Sequence, residues 1–251
     1  MSAGKWVRLN LRSQVLCQDE RGRNVWRYRV APVTAPAGKL ALILCDMWDN
    51  HWSRGAAERC AELAVRMDEV VRAARALGAH IIHAPSECME HYADHPARRR
   101  VLELPPVALP EAGDREDPPL PIDDSDGGSD TGEQPWWKAW TRQHAAIGIC
   151  DQDAIADQGE EVYRHLVYHE IERLVIAGVH TNMCVLNRSF GIKQMVRWGV
   201  PIALARDLTD TMYNPARPPY VSHEEGTRLV VEFIEKHWCP TVLSHDLMSG
   251  W

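Results

Sequence analysis

The chain has 251 residues, a formal net charge of -7 and 45% hydrophobic residues. These proportions are typical of one globular domain with a buried core and exclude a disordered or fibrous chain. The acidic balance argues against a nucleic-acid partner, which requires a concentrated basic surface. No apolar stretch approaches the roughly 18 residues of a membrane span, and the N-terminus lacks a hydrophobic signal segment. We therefore expect a cytoplasmic protein with no membrane partner.

Short apolar runs alternate with amphipathic segments along most of the chain. The runs predict strands over 40–45, 79–83, 173–178 and 200–205, and the amphipathic segments predict helices over 56–77, 160–171, 183–198 and 224–237. Repeated βαβ units of this kind predict a three-layer αβα fold with a mostly parallel sheet. Functional side chains of such folds gather outside the carboxyl ends of the strands.

An acidic, proline-rich segment interrupts this pattern at 103–135. Between Glu103 and Glu133 it holds ten acidic side chains against Arg115 alone, a local charge of -9, so the rest of the chain carries about +2. Seven of the 16 prolines fall in the segment, which excludes regular secondary structure there. Long loops of this kind are either functional lids or disordered insertions, and the sequence leaves both open. We expect one domain over 1–251 with this loop and an N-terminal extension, 1–38.

Two chemically reactive side chains follow predicted strands. Asp46 ends the first apolar run, and Cys184 lies just after the strand 173–178. The predicted helix 183–198 would place Cys184 in its first turn, where free N–H groups and the helix dipole favour a thiolate. The seven cysteines have no CxxC spacing, so a disulfide framework or a structural zinc site is not expected.

The segments LALILCDMWDNHW and RLVIAGVHTNMCV resemble the isochorismatase-like cysteine hydrolases. The resemblance runs from about residue 40 to the C-terminus, except for the acidic loop. It implies that Cys184 attacks a carbonyl carbon, that Asp46 takes the thiol proton, and that the Val179-His180 peptide bond is cis. It also implies a lysine between the two in sequence, no organic cofactor and a homo-oligomer.

The family's lysine position is the departure in this sequence. The region 147–155, where the family lysine is expected, contains none, and Lys138 is the single lysine between Asp46 and Cys184. We predict Lys138 as the third catalytic residue. Arg142 is the alternative source of positive charge, and it would orient groups without transferring a proton.

Aromatic and polar residues near these positions are expected to bind a small-molecule substrate. We predict contacts from Trp48, His51, Arg142, His180, Thr181, Asn182 and Met183, with further tryptophans at 52, 136, 137 and 140 as pocket walls. The N–H groups of Met183 and Cys184 are the predicted oxyanion donors.

Some relatives with amidase activity carry a metal, which raises a question here. Asp49, His51, His83, His91 and His95 could supply ligands, but the family's Asp-Trp-His segment is missing, so we expect no metal. The leading hypothesis is hydrolysis of a small amide or related carbon-nitrogen bond through a thioester. The alternatives are vinyl-ether hydrolysis without the cysteine, and an inactive relative that binds a ligand or partner.

Overall fold

Eight strands form one sheet in the computed structural model, which describes residues 5–134 and 137–250. The strands are β1 (Trp6–Gln18), β2 (Asn24–Pro36), β3 (Leu40–Cys45), β4 (His80–Ala84), β5 (Ala154–Ile155), β6 (Arg173–Val179), β7 (Ile202–Asp210) and β8 (Thr241–Val242). Their order in the sheet is β2-β1-β8-β7-β6-β3-β4-β5. The run from β8 to β5 is parallel, which confirms the predicted fold class.

Helices cover both faces of the sheet. They are α1 (Arg54–Leu77), α2 (Pro96–Glu103), α3 (Gly159–Tyr168), α4 (Ile192–Arg197) and α5 (His223–His237). Alternate residues of β3 enter different cores: Leu42 belongs to the cluster that contains Met67 of α1, and Ile43 to the cluster that contains Ile234 of α5. A strand buried on both faces has no polar side, which explains why LALILC is apolar throughout.

The N-terminal segment belongs to this sheet. β1 and β2 form an antiparallel hairpin that joins the parallel strands where Arg12 pairs with Thr241 of β8. The Arg12 guanidinium also lies 2.7 Å from Glu235 of α5. The sequence of 1–38 predicts only an extension, because a hairpin with a largely exposed outer strand lacks the apolar run of a buried strand.

The predicted helix 183–198 is broken in the structure. Residues Thr181–Val185 form a π-helix, and α4 begins only at Ile192. Between them the Gly191 N–H donates to the Arg188 carbonyl at 2.7 Å. A Cβ atom at Gly191 would lie 2.8 Å from the Val185 oxygen, so this tight turn requires glycine.

The acidic segment crosses the protein without helix or strand from 105 to 134, and ion pairs hold it in place. Asp117 pairs with Lys193, Asp123 with Arg217, and Asp130 with Arg59, each at 2.7 or 2.8 Å. The loop therefore takes a defined path over the carboxyl ends of the strands. None of the helices in the described ranges combines the length and apolar character needed to cross a bilayer.

A glycine at the end of β6 allows the close approach of β3. Gly178 has φ +114°, and a Cβ atom there would lie 2.1 Å from the Cys45 carbonyl oxygen. We expect Gly178→Ala to lower the free energy of unfolding by more than about 2 kcal/mol, through backbone strain and this clash. Urea denaturation measures the effect. Gly38→Ala is the matched control, since Gly38 has open space around it; equal midpoints for the two variants would contradict the argument.

Candidate active site

Asp46 occupies the first residue after β3 and is fully buried. Its backbone has φ +48°, and its N–H donates to the Ala84 carbonyl at 3.0 Å. One carboxylate oxygen accepts the Ser86 N–H at 2.8 Å, and the other accepts Nε–H of Arg188 at 2.9 Å. Burial raises the pKa of Asp46, and Arg188 and Ser86 oppose that rise by favouring the ionised form.

Cys184 lies in the π-helix that follows β6, against the Asp46 carboxyl group. The Val179-His180 peptide bond before this turn is cis, as expected. Burial raises the pKa of the Cys184 thiol, the Asp46 charge raises it further, and Arg188 lowers it. The dipole of an α-helix at this position would shift the thiol pKa in the opposite direction, as the sequence predicts. The difference arises because the π-helix lies beside a buried carboxylate, so the resting group is a thiol next to a proton acceptor.

Arg188 is the cation of this site, and sequence analysis did not identify it. Its guanidinium pairs with Asp46 at 2.9 Å and with Glu87 at 3.2 Å. The chain turns away from helix at Arg188, which directs the side chain back to β3. One signal was present in the sequence: residues four apart on a helix share a face, and Arg188 is four residues beyond Cys184.

Lys138 and Arg142 lie elsewhere. The Lys138 ammonium group donates to the Glu87 carbonyl at 2.5 Å, and the residue is exposed. The exposed Arg142 lies 3.9 Å from Asp49, and its N–H also faces that carboxylate. The structure brings neither side chain to Asp46, because the chain that carries both passes over the outer rim of the site. Sequence order between Asp46 and Cys184 was therefore a poor guide to the position of the cation.

A cavity of about 690 Å³ opens above Cys184 and Arg188. Trp48 and Trp140 stack at 3.9 Å on its wall, and the Trp48 indole N–H donates to the Ser86 carbonyl at 3.1 Å. Trp52 also lines the cavity, whereas Trp137 is 60% exposed and Trp136 lies outside the described residues. The volume and the aromatic walls suit a small, flat ligand.

Two histidines face this cavity, as predicted. The His51 and His180 rings meet edge to face at 4.9 Å, and burial lowers the pKa of His51 to about 4 and of His180 to about 3. Both imidazoles are therefore neutral at physiological pH. Nε2 of His180 is buried and has no hydrogen-bond partner among the described residues. It is an unused polar contact for a ligand in the cavity.

Three predicted substrate contacts differ in their surroundings. Thr181 is buried and shares a 2.7 Å hydrogen bond with Thr209, and the Asn182 amide binds Asp124 and both backbone groups of Met212. Neither lines the aromatic cavity. The Met183 side chain does line it, but the Met183 N–H donates to the His180 carbonyl at 3.0 Å. Thr181 and Asn182 hold the scaffold through these bonds, Asn182 also borders a neighbouring cavity with Cys184 and Arg188, and the Met183 N–H already has an acceptor.

The acidic loop forms one side of the cavity. Asp124, Asp126 and Glu133 lie along it, and Glu87 contributes a fourth carboxylate from the opposite rim. Asp124 accepts from the Asn182 amide at 2.7 Å, and Asp126 accepts from the Asn214 amide at 2.9 Å. Arg188 is the one cationic side chain among the described residues that line the cavity. The wall is thus negative overall.

The residues that the sequence suggests as metal ligands are engaged in other contacts. Both carboxylate oxygens of Asp49 bind Thr141, and the buried His83 ring bonds to Gln143 at 2.9 Å and to Asp153 at 3.1 Å. The His91 ring packs on a neighbouring tyrosine, and the His95 imidazole accepts the Ala97 N–H at the start of α2. Within the described ranges these residues do not form a three-ligand cluster.

Comparison with known proteins places this architecture. No family model matches the sequence, and a search of curated proteins gives no match. A cysteine hydrolase from Pseudomonas syringae pv. phaseolicola is similar over 85% of this chain and 92% of its own, with 14% identity and a TM-score of 0.53. A protein from Burkholderia xenovorans, provisionally assigned as an isochorismatase, is similar over 84% of this chain and 86% of its own, with 15% identity and a TM-score of 0.50. The chain has the isochorismatase-like fold.

Arg188, and not Lys138, should control the reactivity of Cys184. Removing the guanidinium in Arg188→Met raises the thiol pKa, because Arg188 lowers it in the native protein. Iodoacetamide should then label Cys184 about tenfold more slowly at pH 8, as expected for a change of about one pKa unit. Peptide mass spectrometry follows Cys184 separately from the half-buried Cys17 and Cys150. Lys138→Met is the control and should label at the wild-type rate; slower labelling in that variant alone would restore Lys138 as the cation.

The ion pair between Arg59 and Asp130 should hold the acidic loop closed. The pair is largely buried and has a 2.7 Å contact, so Asp130→Ala should lower the free energy of loop opening by about 1–2 kcal/mol. Because cleavage of an opened segment follows its population, limited proteolysis within 103–134 should become several-fold faster. Asp114→Ala is the matched control, an exposed acidic residue of the same loop. Equal cleavage rates for the two variants would mean that this ion pair does not hold the loop.

Proposed function

We propose that the protein is a hydrolase of small amides or related carbon-nitrogen bonds and that it acts through a thioester on Cys184. The observation that carries the proposal is that Arg188, which lines the same cavity as Cys184, binds the buried Asp46 carboxylate at 2.9 Å, while Ser86 binds its other oxygen. A nucleophile, its base and a group that orients the base are the three parts of covalent catalysis. Cys184 and Arg188 line a cavity of ligand size, and Asp46 is buried behind Arg188.

In the first half-reaction, Sγ of Cys184 attacks the carbonyl carbon of the amide while the thiol proton passes to Asp46. The tetrahedral intermediate then collapses, the carbon-nitrogen bond breaks, and the amine leaves with the proton from Asp46. Arg188 keeps its positive charge throughout and holds the carboxylate by its Nε–H at 2.9 Å. It thus orients the base without transferring a proton.

In the second half-reaction, water attacks the thioester carbon and gives its proton to Asp46. Collapse of this intermediate releases the carboxylic acid, and the proton on Asp46 returns to the cysteine sulfur. The Cys184 N–H is our proposed oxyanion donor in both halves. The Met183 N–H is not part of this proposal, because it donates to the His180 carbonyl. The reaction so written uses no organic cofactor.

The charge of the cavity wall supports a neutral or cationic amide as the substrate. Four carboxylates and a single guanidinium line the described part of the cavity, so the potential there disfavours an anion. An isochorismate-like substrate carries two carboxylates and would meet this wall unfavourably. The stacked Trp48 and Trp140 rings and the unpartnered Nε2 of His180 favour a flat, heterocyclic amide.

Intact-mass spectrometry tests the chemistry directly. The protein is mixed with a panel of neutral, cationic and anionic aromatic amides and quenched in acid, and an acyl adduct is expected on Cys184 with a neutral or cationic member. Amine release is measured in parallel. Cys184→Ala should form no adduct, and both Cys184→Ala and Asp46→Asn should lose at least about 10³-fold in amine release.

Cys150→Ala is the matched control for the cysteine, because Cys150 is also half-buried and lies away from the cavity. It should keep both the adduct and the turnover. Amine release that survives Cys184→Ala but not Asp46→Asn would replace the thioester route with direct attack by a water molecule that Asp46 activates, without use of the cysteine. Binding of panel members without an adduct or turnover would support a ligand-binding protein instead.

A further inference from the structure

Three histidines cluster near the amino end of β4, at the end of the parallel strands opposite the active site. His80 is the first residue of β4, His165 lies in the last turn of α3, and His169 follows that helix. His80 pairs with Ala41 of the parallel strand β3, and Asp46 follows the other end of that strand. At least about 13 Å of strand therefore separates the cluster from Asp46. It is therefore distinct from the cavity above Cys184.

The three rings converge on one point. Their centroids lie 4.4, 4.5 and 5.3 Å apart, and one nitrogen of each ring can be chosen so that all three lie within 4.8 Å of one another. His169 caps α3 and donates its N–H to the His165 carbonyl at 3.1 Å, so the two histidines keep the four-residue spacing that recurs in zinc sites. No other group of three such ligands is found in the described ranges.

One ring nitrogen of the cluster has no partner. His165 is 4% exposed, and its Nε2 is buried without a hydrogen bond to any described residue. Buried polar atoms are paired in the great majority of cases, so this orphan indicates a missing ligand. His80 and His169 are half-buried, which leaves an open side through which an ion could enter.

We propose that His80, His165 and His169 form a binding site for a divalent transition metal of the zinc type. Three imidazoles with a water molecule in the fourth position satisfy tetrahedral zinc. At zinc-nitrogen distances of about 2.0–2.1 Å the ligand nitrogens must lie about 3.4 Å apart, so the rings close by roughly 1 Å on binding. His80 at a strand start and His169 beyond the helix are placed where such a shift is easily made.

The charges around the cluster set its affinity. Lys39 and Arg100 carry positive charge close to the rings. The same charges oppose a bound cation. Glu170 offsets Lys39 through a 2.5 Å contact, and zinc binding to the folded protein must overcome the remainder.

Zinc titration tests the site. Full-length protein freed of metal with a chelator is titrated with Zn²⁺ against a chromophoric competitor, and one equivalent per chain is expected. His169→Ala and His80→Gln should each weaken this binding at least tenfold. Zinc should raise the unfolding temperature of the wild type but not that of these two variants. His91→Ala, an exposed histidine outside the cluster, is the control and should bind as the wild type does.

Cobalt separates this site from the active-site cysteine. Co²⁺ in a three-histidine site gives visible ligand-field bands without thiolate-to-metal charge transfer. Such a spectrum, lost in His169→Ala and kept in Cys184→Ala, is the expected result. Substoichiometric zinc in the wild type, unchanged affinity in both cluster variants, or a thiolate spectrum would each overturn the proposal, and none of these outcomes bears on amide hydrolysis.

Discussion

The buried pair of Asp46 and Arg188 is the interaction on which the arrangement of the site depends. An isolated carboxylate in a protein interior costs several kcal/mol, so Asp46 must be held by strong partners. Arg188 supplies the opposite charge and Ser86 supplies a backbone N–H, one to each carboxylate oxygen. The same contacts fix the direction of the carboxylate toward Cys184. The interactions that make burial of the Asp46 carboxylate possible therefore also align it.

The backbone brings this pair together through close contacts at the ends of neighbouring strands. β3 and β6 are adjacent and in register up to Cys45 and Gly178, and Asp46 and Cys184 follow these strands by one and five residues. The break before α4 then returns Arg188 toward β3. Glycines at 178 and 191 make room for these approaches, because any side chain would meet a carbonyl oxygen. The site is thus a consequence of tight backbone packing as much as of its reactive side chains.

Electrostatics also explains the path of the acidic loop. The segment from 103 to 133 carries -9, while the remainder of the chain is slightly positive. Lys193, Arg217 and Arg59 donate to three of its carboxylates at different points of the body. Other carboxylates remain at the cavity, where they make the wall negative. One segment thereby closes the cavity and sets the charge that a substrate must match.

The sequence by itself determined the layered fold, the strands that carry Asp46 and Cys184, and their position at one edge of the sheet. Apolar runs and helical periodicity are local properties, and the parallel order of βαβ units follows from them. Tertiary structure decided which cation reaches Asp46, because Lys138, Arg142 and Arg188 are equally charged, and the four-residue spacing of Arg188 from Cys184 indicates a shared helical face but not a contact with Asp46. It also decided that Thr181 and Asn182 support the scaffold, and that the hairpin of 6–36 extends the sheet. These outcomes depend on contacts between residues far apart in sequence, which no local pattern encodes.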